Sequence, residues 1–313
     1  MSEFDVLCIG NAIVDIIARA EDDFLHQNEI IKGAMNLIDA DRAELLYDRM
    51  GPAVETSGGS AGNTAAGVAS FGGKAAFFGK VSDDHLGGIY RHDIRAQGVA
   101  FDTNPLTGTP PTARSMIFVT PDGERSMNTY LGACVELGPE DIEEDKVAGS
   151  KVTFFEGYLW DPPRAKDAIR KAAEIAHANG REMSMTLSDP FCVDRYREEF
   201  LDLMRSGTVD IVFANEDEAK SLYQTADFET AVAAMRKDCR LAVVTRSEKG
   251  SVAMTPQETA SVSAQTIDNL VDTTGAGDLY AAGFLHGYAA GRSLEDCAHL
   301  GTLAASVILQ QIG

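Results

Sequence analysis

Short runs of unbroken apolar residues recur along this chain, with stretches of helical periodicity between them. Phe4–Gly10 is the first run, strand-length and closed by Gly-Asn. From residue 150 onward the alternation becomes regular. Val152–Phe155, Met183–Leu187, Val209–Ala214 and Leu241–Thr245 predict strands, and Pro162–Asn179 predicts a helix with proline in its first turn and Gly180 beyond its end. Continuous apolar strands separated by helices indicate a mainly parallel sheet covered on both faces, the three-layer α/β/α arrangement. Between these regions the pattern changes. Thr112–Thr120 and Glu124–Tyr130 flank the turn signal Pro121-Asp122-Gly123 and predict a hairpin. Asp41–Met50 reads as a short helix capped by Asp41, His85–Gln97 as another, and Leu294–Gln311 as the last; Ser57–Gly72 reads as a Gly-rich lead into a tightly packed helix.

Composition narrows the class without naming it. A chain of 313 residues holds a large core, as one α/β domain with an appendage or as two domains. The net charge of −21 argues against nucleic acid or an anionic membrane as partner. Small anionic substrates stay open, because helix termini create local positive fields. Five dispersed cysteines with no Cys-x-x-Cys pair suggest reduced thiols, without a zinc site or disulfide framework, in a cytoplasmic protein. No apolar run reaches the ~20 residues that cross a membrane, and the acidic N-terminus is unlike a signal peptide. The six histidines show no metal-ligand spacing.

Candidate chemistry concentrates in a few places. In Asp272–Leu285, Gly275-Ala276-Gly277 leads into an apolar helix with Asp278 at its start. Such backbone either forms a turn with Asp278 as helix cap, or turns its N–H groups toward an anion beside a carboxylate base. Asp15 interrupts an apolar run and is either a bend satisfied by backbone or an acceptor for ligand hydroxyls. Gly59 leaves room for a ligand, and Asn63 offers it a donor and an acceptor. Asn215-Glu-Asp-Glu218 directly follows a predicted strand and is compatible with a plain helix N-terminus.

The stretch Asp272-Thr-Thr-Gly-Ala-Gly-Asp278 with Ala282-Gly283 resembles the C-terminal signature of the ribokinase-like (PfkB) carbohydrate and nucleoside kinases. Ser57–Gly72, running on through Phe77–Gly87, resembles the family's N-terminal signature, with Ser82 where glycine is usual. The resemblance extends from Val6 to Ile308. It implies a ribokinase-like kinase over residues 1–313, with segments of about 13–39 and 101–127 forming a small β-sheet lid. It implies Asp278 as base, Gly275, Ala276 and Gly277 as anion hole, and Arg125 reaching the phosphates when the lid closes. Asn11 and Asp15 fall on the Gly-Asn-x-x-x-Asp element whose carboxylate grips sugar hydroxyls, joined by Gly59 and Asn63. Asn215 and Glu218 match an Asn-x-x-Glu motif tied to magnesium, which implies Mg2+ contact through water. Thr245, Ser247 and Gly250 match the ATP loop, with Ser247 in place of a glycine; the resemblance leaves a monovalent cation open beside ATP and Mg2+.

Within the family, Asn11–Asp15, Pro121–Ala133 and Leu187–Phe191 look most like adenosine kinases. That implies transfer from ATP to the 5′-hydroxyl of a nucleoside, adenosine to AMP, as in purine salvage, by a monomer or homodimer. Ile13, Phe118 and Tyr158 are then candidates for an apolar base slot. The alternatives are a kinase for ribose, fructose or 2-keto-3-deoxygluconate, and a non-catalytic nucleoside-binding relative.

Overall fold

The computed structural model describes residues 3–310 and resolves the chain into two sheets. The strands in chain order are β1 (Phe4–Ile9), β2 (Ile13–Arg19), β3 (Met35–Leu37), β4 (Ala53–Gly58), β5 (Ala75–Phe78), β6 (Val99–Ala100) and β7 (Ala113–Val119). They continue with β8 (Arg125–Tyr130), β9 (Ser150–Glu156), β10 (Glu182–Thr186), β11 (Ile211–Asn215), β12 (Leu241–Thr245), β13 (Ser251–Met254) and β14 (Thr259–Val262). The large sheet has nine strands in the order β14-β13-β12-β11-β10-β9-β1-β5-β6, parallel except for β13 and β14.

Successive side chains of its central strands enter opposite cores. Val6 and Cys8 of β1 pack with Phe154, Phe213 and the helices Ser60–Ser70 and Ala276–Ala289. Leu7 and Ile9 pack with Phe155, Met185 and the helices Pro163–Ala178 and Pro190–Arg205. This two-sided burial is why these strands read as unbroken apolar runs.

The small sheet has the order β3-β8-β7-β2-β4, and β7 and β8 form the predicted hairpin around Pro121–Gly123. It draws on β4, a segment outside the expected 13–39 and 101–127, while residues 101–112 contribute no strand to it. One face is packed: Val14, Ile16, Met116 and Phe118 meet Leu25, Ala43 and Leu46 of the helices Asp22–Gln27 and Ala40–Arg49. The second of these helices starts earlier than expected. Asp39, not Asp41, is its cap, accepting from the Arg42 N–H at 2.8 Å, and Asp41 lies in the first turn where its charge favours the helix dipole.

Two of the chain's crossings between the sheets bear on the site. One is the β1–β2 link through Gly10-Asn11-Ala12. The other holds Ser82, whose N–H donates to Thr112 Oγ1 at 2.9 Å and whose hydroxyl donates to the Pro110 carbonyl at 2.7 Å. Serine at this position therefore supplies a cross-link that glycine lacks.

Candidate active site

A cavity of about 570 Å³ lies between the carboxyl ends of the large sheet's strands and the open face of the small sheet. Open α/β sheets bind ligands at this end. The β2 alternation sends Val14 and Ile16 into the core and turns Ile13 and Asp15 into the cavity, where Ser115 of β7 joins them. Of the predicted residues, Asn11, Ile13, Asp15, Gly59, Asn63, Tyr158, Asn215, Glu218, Thr245, Gly275, Gly277 and Asp278 all line it.

Asp278 stands in the first turn of the helix Ala276–Ala289, whose N-cap Gly275 adopts the left-handed conformation (φ 74°). Ser60 Oγ donates to its Oδ1 at 2.6 Å and Asn63 Nδ2 to its Oδ2 at 3.1 Å. Burial raises its pKa, while these two donors pull it down. The Ala276 N–H donates to the Thr273 carbonyl at 3.3 Å.

Asp15 receives no hydrogen bond from protein donors among the described residues. Burial pushes its pKa up to about 7, the Arg125 guanidinium opposes the rise and Asp278 adds to it. In the folded state the proton is therefore held more tightly than in the unfolded chain, so the cost of ionised Asp15 is fully present above pH 7 and fades toward pH 4. Asp15→Asn should raise the melting temperature at pH 8, with the gain narrowing as pH falls from 7 toward 4. Thermal unfolding of both proteins across that range is the check, and a constant difference would refute it.

Gly59 carries φ 87°, and a Cβ there would stand 2.1 Å from the Asn11 backbone carbonyl oxygen. Neither the torsion nor the backbone can yield cheaply. Gly59→Ala is expected to cost about 2–4 kcal/mol, read from the denaturant midpoint.

Five predicted residues, Phe118, Ser247, Gly250, Arg125 and Ala276, do not line the cavity. Phe118 is fully buried on the opposite face of the small sheet, with its ring 5.1 Å from that of Phe24. Ser115 faces the cavity, so pleating turns Phe118, three residues on, away from it; it belongs to the core and not to a ligand slot. Gly250 is outside the cavity wall; its Cβ would meet the Val262 carbonyl oxygen at 2.0 Å, so it permits the close turn into β13. Ser247 is beside it in the left-handed region (φ 49°), a conformation more natural to the glycine it replaces. Arg125 does not line the wall. Its guanidinium pairs with Asp272 Oδ2 at 2.7 Å, and both side chains are nearly buried.

Other wall residues escaped the sequence reading. Met35, Leu37, Met127 and Leu131 give the cavity an apolar lining together with Tyr158 and Phe191. Ser188, left-handed at φ 74°, accepts from the Tyr158 N–H and hydroxyl at 3.3 Å each, through its side chain and carbonyl respectively. Glu156 ends β9 and lines the cavity, and burial pushes its pKa up to about 7. An acidic residue at the end of an apolar run, just before Gly157, was the available signal.

For a metal ion, Glu218 is the local carboxylate. Its oxygens accept from the Asn215 N–H at 2.9 Å and Asn215 Nδ2 at 2.6 Å, in a reciprocal helix cap. Among the described residues no three acidic, histidine or cysteine side chains cluster to hold a metal. This donor set fits Mg2+ held through its own waters and does not fit a direct protein cage.

The pfkB family carbohydrate kinase pattern matches residues 4–313. The chain is 72% identical to the adenosine kinase of Sinorhizobium meliloti, covering 100% of this chain and 95% of that one with a TM-score of 0.94. It is 70% identical to a probable sugar kinase from Rhizobium etli over 100% of this chain and 95% of that chain, also at 0.94. The adenosine kinase of Saccharomyces cerevisiae is 25% identical over 331 residues, 98% of this chain and 95% of the relative.

Proposed function

The chain belongs to the pfkB family of carbohydrate kinases, and from that premise we propose that it transfers the γ-phosphoryl group of ATP to the 5′-hydroxyl of adenosine. The observation that carries this reading is the Asp278 carboxylate, held by Ser60 and Asn63 in one cavity with Asp15 and an apolar wall. Asp15 accepts from the ribose hydroxyls, beside Asn11, Gly59 and Asn63. Ile13, Leu37, Met127 and Tyr158 supply apolar surface to the base.

Asp278 accepts the 5′-hydroxyl proton as that oxygen forms its bond to the γ-phosphorus and the bridging bond to ADP breaks. Gly275 and Gly277 present N–H groups to the developing charge, and the Ala276 amide joins them when it leaves the Thr273 carbonyl. Asn215 and Thr245 line the arm of the cavity that takes the nucleotide, next to Ser247 and Gly250. Glu218 and Asn215 would hold Mg2+ through water, and the ion when bound neutralises phosphate oxygens. The small sheet is the lid of this single kinase unit, and its closure excludes water as a competing acceptor.

Turnover with ATP and Mg2+ should be compared for adenosine, ribose, fructose and 2-keto-3-deoxygluconate. Adenosine is expected to have a kcat/KM about 100-fold or more above any sugar, since a desolvated base adds several kcal/mol of binding. A sugar preferred over adenosine, the direction suggested by the Rhizobium etli relative's name, would overturn the acceptor and leave the base in place.

A further inference from the structure

Glu156 is almost fully buried, and its carboxylate accepts from three protein donors. Its Oε1 accepts from the Asn11 N–H at 3.1 Å and from Asn11 Nδ2 at 2.6 Å. Its Oε2 accepts from the Ala61 N–H at 2.7 Å. These contacts end on two separate elements. Asn11 belongs to the β1–β2 link between the two sheets, and Ala61 is the second residue of the helix Ser60–Ser70. The N-cap of that helix is Gly59, which has no side chain to satisfy the orphan amides. Glu156 is therefore its cap from 95 residues away, with a negative charge at the positive end of the dipole.

The same helix carries the donors that orient Asp278, Ser60 immediately before Ala61 and Asn63 two residues after it. The packing leaves no slack around the link. A Cβ at Gly10 would stand 2.4 Å from Glu156 Oε2. Three donors occupy three of the four acceptor sites of this carboxylate. Burial pushes its pKa up to about 7, and the hydrogen bonds from Ala61 and Asn11 oppose the rise.

We propose that Glu156 is a positioning residue: by anchoring Asn11 and the start of the helix Ser60–Ser70 to the central strand β9, it sets the Ser60–Asp278 hydrogen bond and hence the aim of the base. This rests on the reading of Asp278 above. It predicts that Glu156 acts on the reaction through Ser60, without touching the nucleoside.

The test is a double-mutant cycle of Glu156→Gln and Ser60→Ala in the full-length protein, read by kcat, by acceptor affinity in calorimetry and by the pH profile of kcat. Glutamine keeps the shape but sets an NH2 group against one of the three donors. Glu156→Gln should lower kcat about 10-fold or more, as small misplacements of reacting groups do, with acceptor affinity within about 3-fold. The double variant should be no slower than the slower single variant. Independent, multiplicative losses would overturn the proposal. So would a loss of affinity with kcat kept, which would make Glu156 a substrate contact, or a lowered melting temperature with kcat unchanged. If the glutamine variant does not fold, Glu156→Asp keeps the charge, shortens the reach by one methylene and enters the same cycle. Wild-type turnover in the same series tests the nucleoside reading separately. If the preferred acceptor is a sugar, that reading fails, and the cycle is run with that sugar.

Discussion

Asp278→Asn should lower kcat about 10³- to 10⁴-fold, the range expected when a general base is removed, while adenosine affinity by calorimetry stays within a few-fold. Asparagine is nearly isosteric and still accepts a hydrogen bond through one oxygen, so it can keep either the Ser60 or the Asn63 contact. What it cannot do is take a proton. Asp15, Asn11 and Gly59, the proposed ribose contacts in the same cavity, are left in place. Binding lost with turnover per bound nucleoside unchanged would show that Asp278 holds substrate and that another group is the base.

Arg125→Ala is the second large effect, about 10²- to 10³-fold in kcat, as for removal of one charge-stabilising donor. Arg125 opens β8 on the small sheet, while Asp272 opens the segment leading to Gly275–Gly277. Their 2.7 Å ion pair joins the small sheet to the Gly275–Gly277 loop, with only 8% and 9% of the two side chains exposed. The same guanidinium opposes the rise in the Asp15 pKa. Alanine therefore removes a positive charge shared by the small sheet, the loop and Asp15, and thermal stability should fall along with kcat. Arg125→Lys is expected to recover little of the rate, because an ammonium lacks the planar fork that spans two oxygens. Full activity in the lysine variant would show that charge alone suffices. An alanine variant with wild-type kcat would restrict Arg125 to a structural role.

Much of this architecture is legible in the sequence, and the exceptions have physical causes. Strands β1, β9, β10, β11 and β12 announce themselves because both faces are buried. Strand β4, Ala-Val-Glu-Thr-Ser-Gly, is an edge of the small sheet with exposed and half-buried positions, so it shows no apolar run. Strands β13 and β14 form the antiparallel edge of the large sheet and are comparably muted. In the site, Asn11, Asp15, Asn63 and Asp278 are visible through short motifs and converge on one cavity. Phe118 misleads because its place in an apolar strand does not reveal which face it takes; the register with β2 decides that. The contacts of Glu156 are invisible in sequence because its partners lie 145 and 95 residues away.

The central claim is phosphoryl transfer to one oxygen, the 5′-hydroxyl, and not to water. The most direct measurement is the phosphorus NMR spectrum of the reaction of wild-type protein with ATP, Mg2+ and adenosine. The account predicts ADP and a single new monophosphate resonance in equal amounts, split by coupling to the two 5′-methylene protons. A resonance coupled to one ribose proton, as in a 2′- or 3′-phosphate, or inorganic phosphate as the only product, would contradict it.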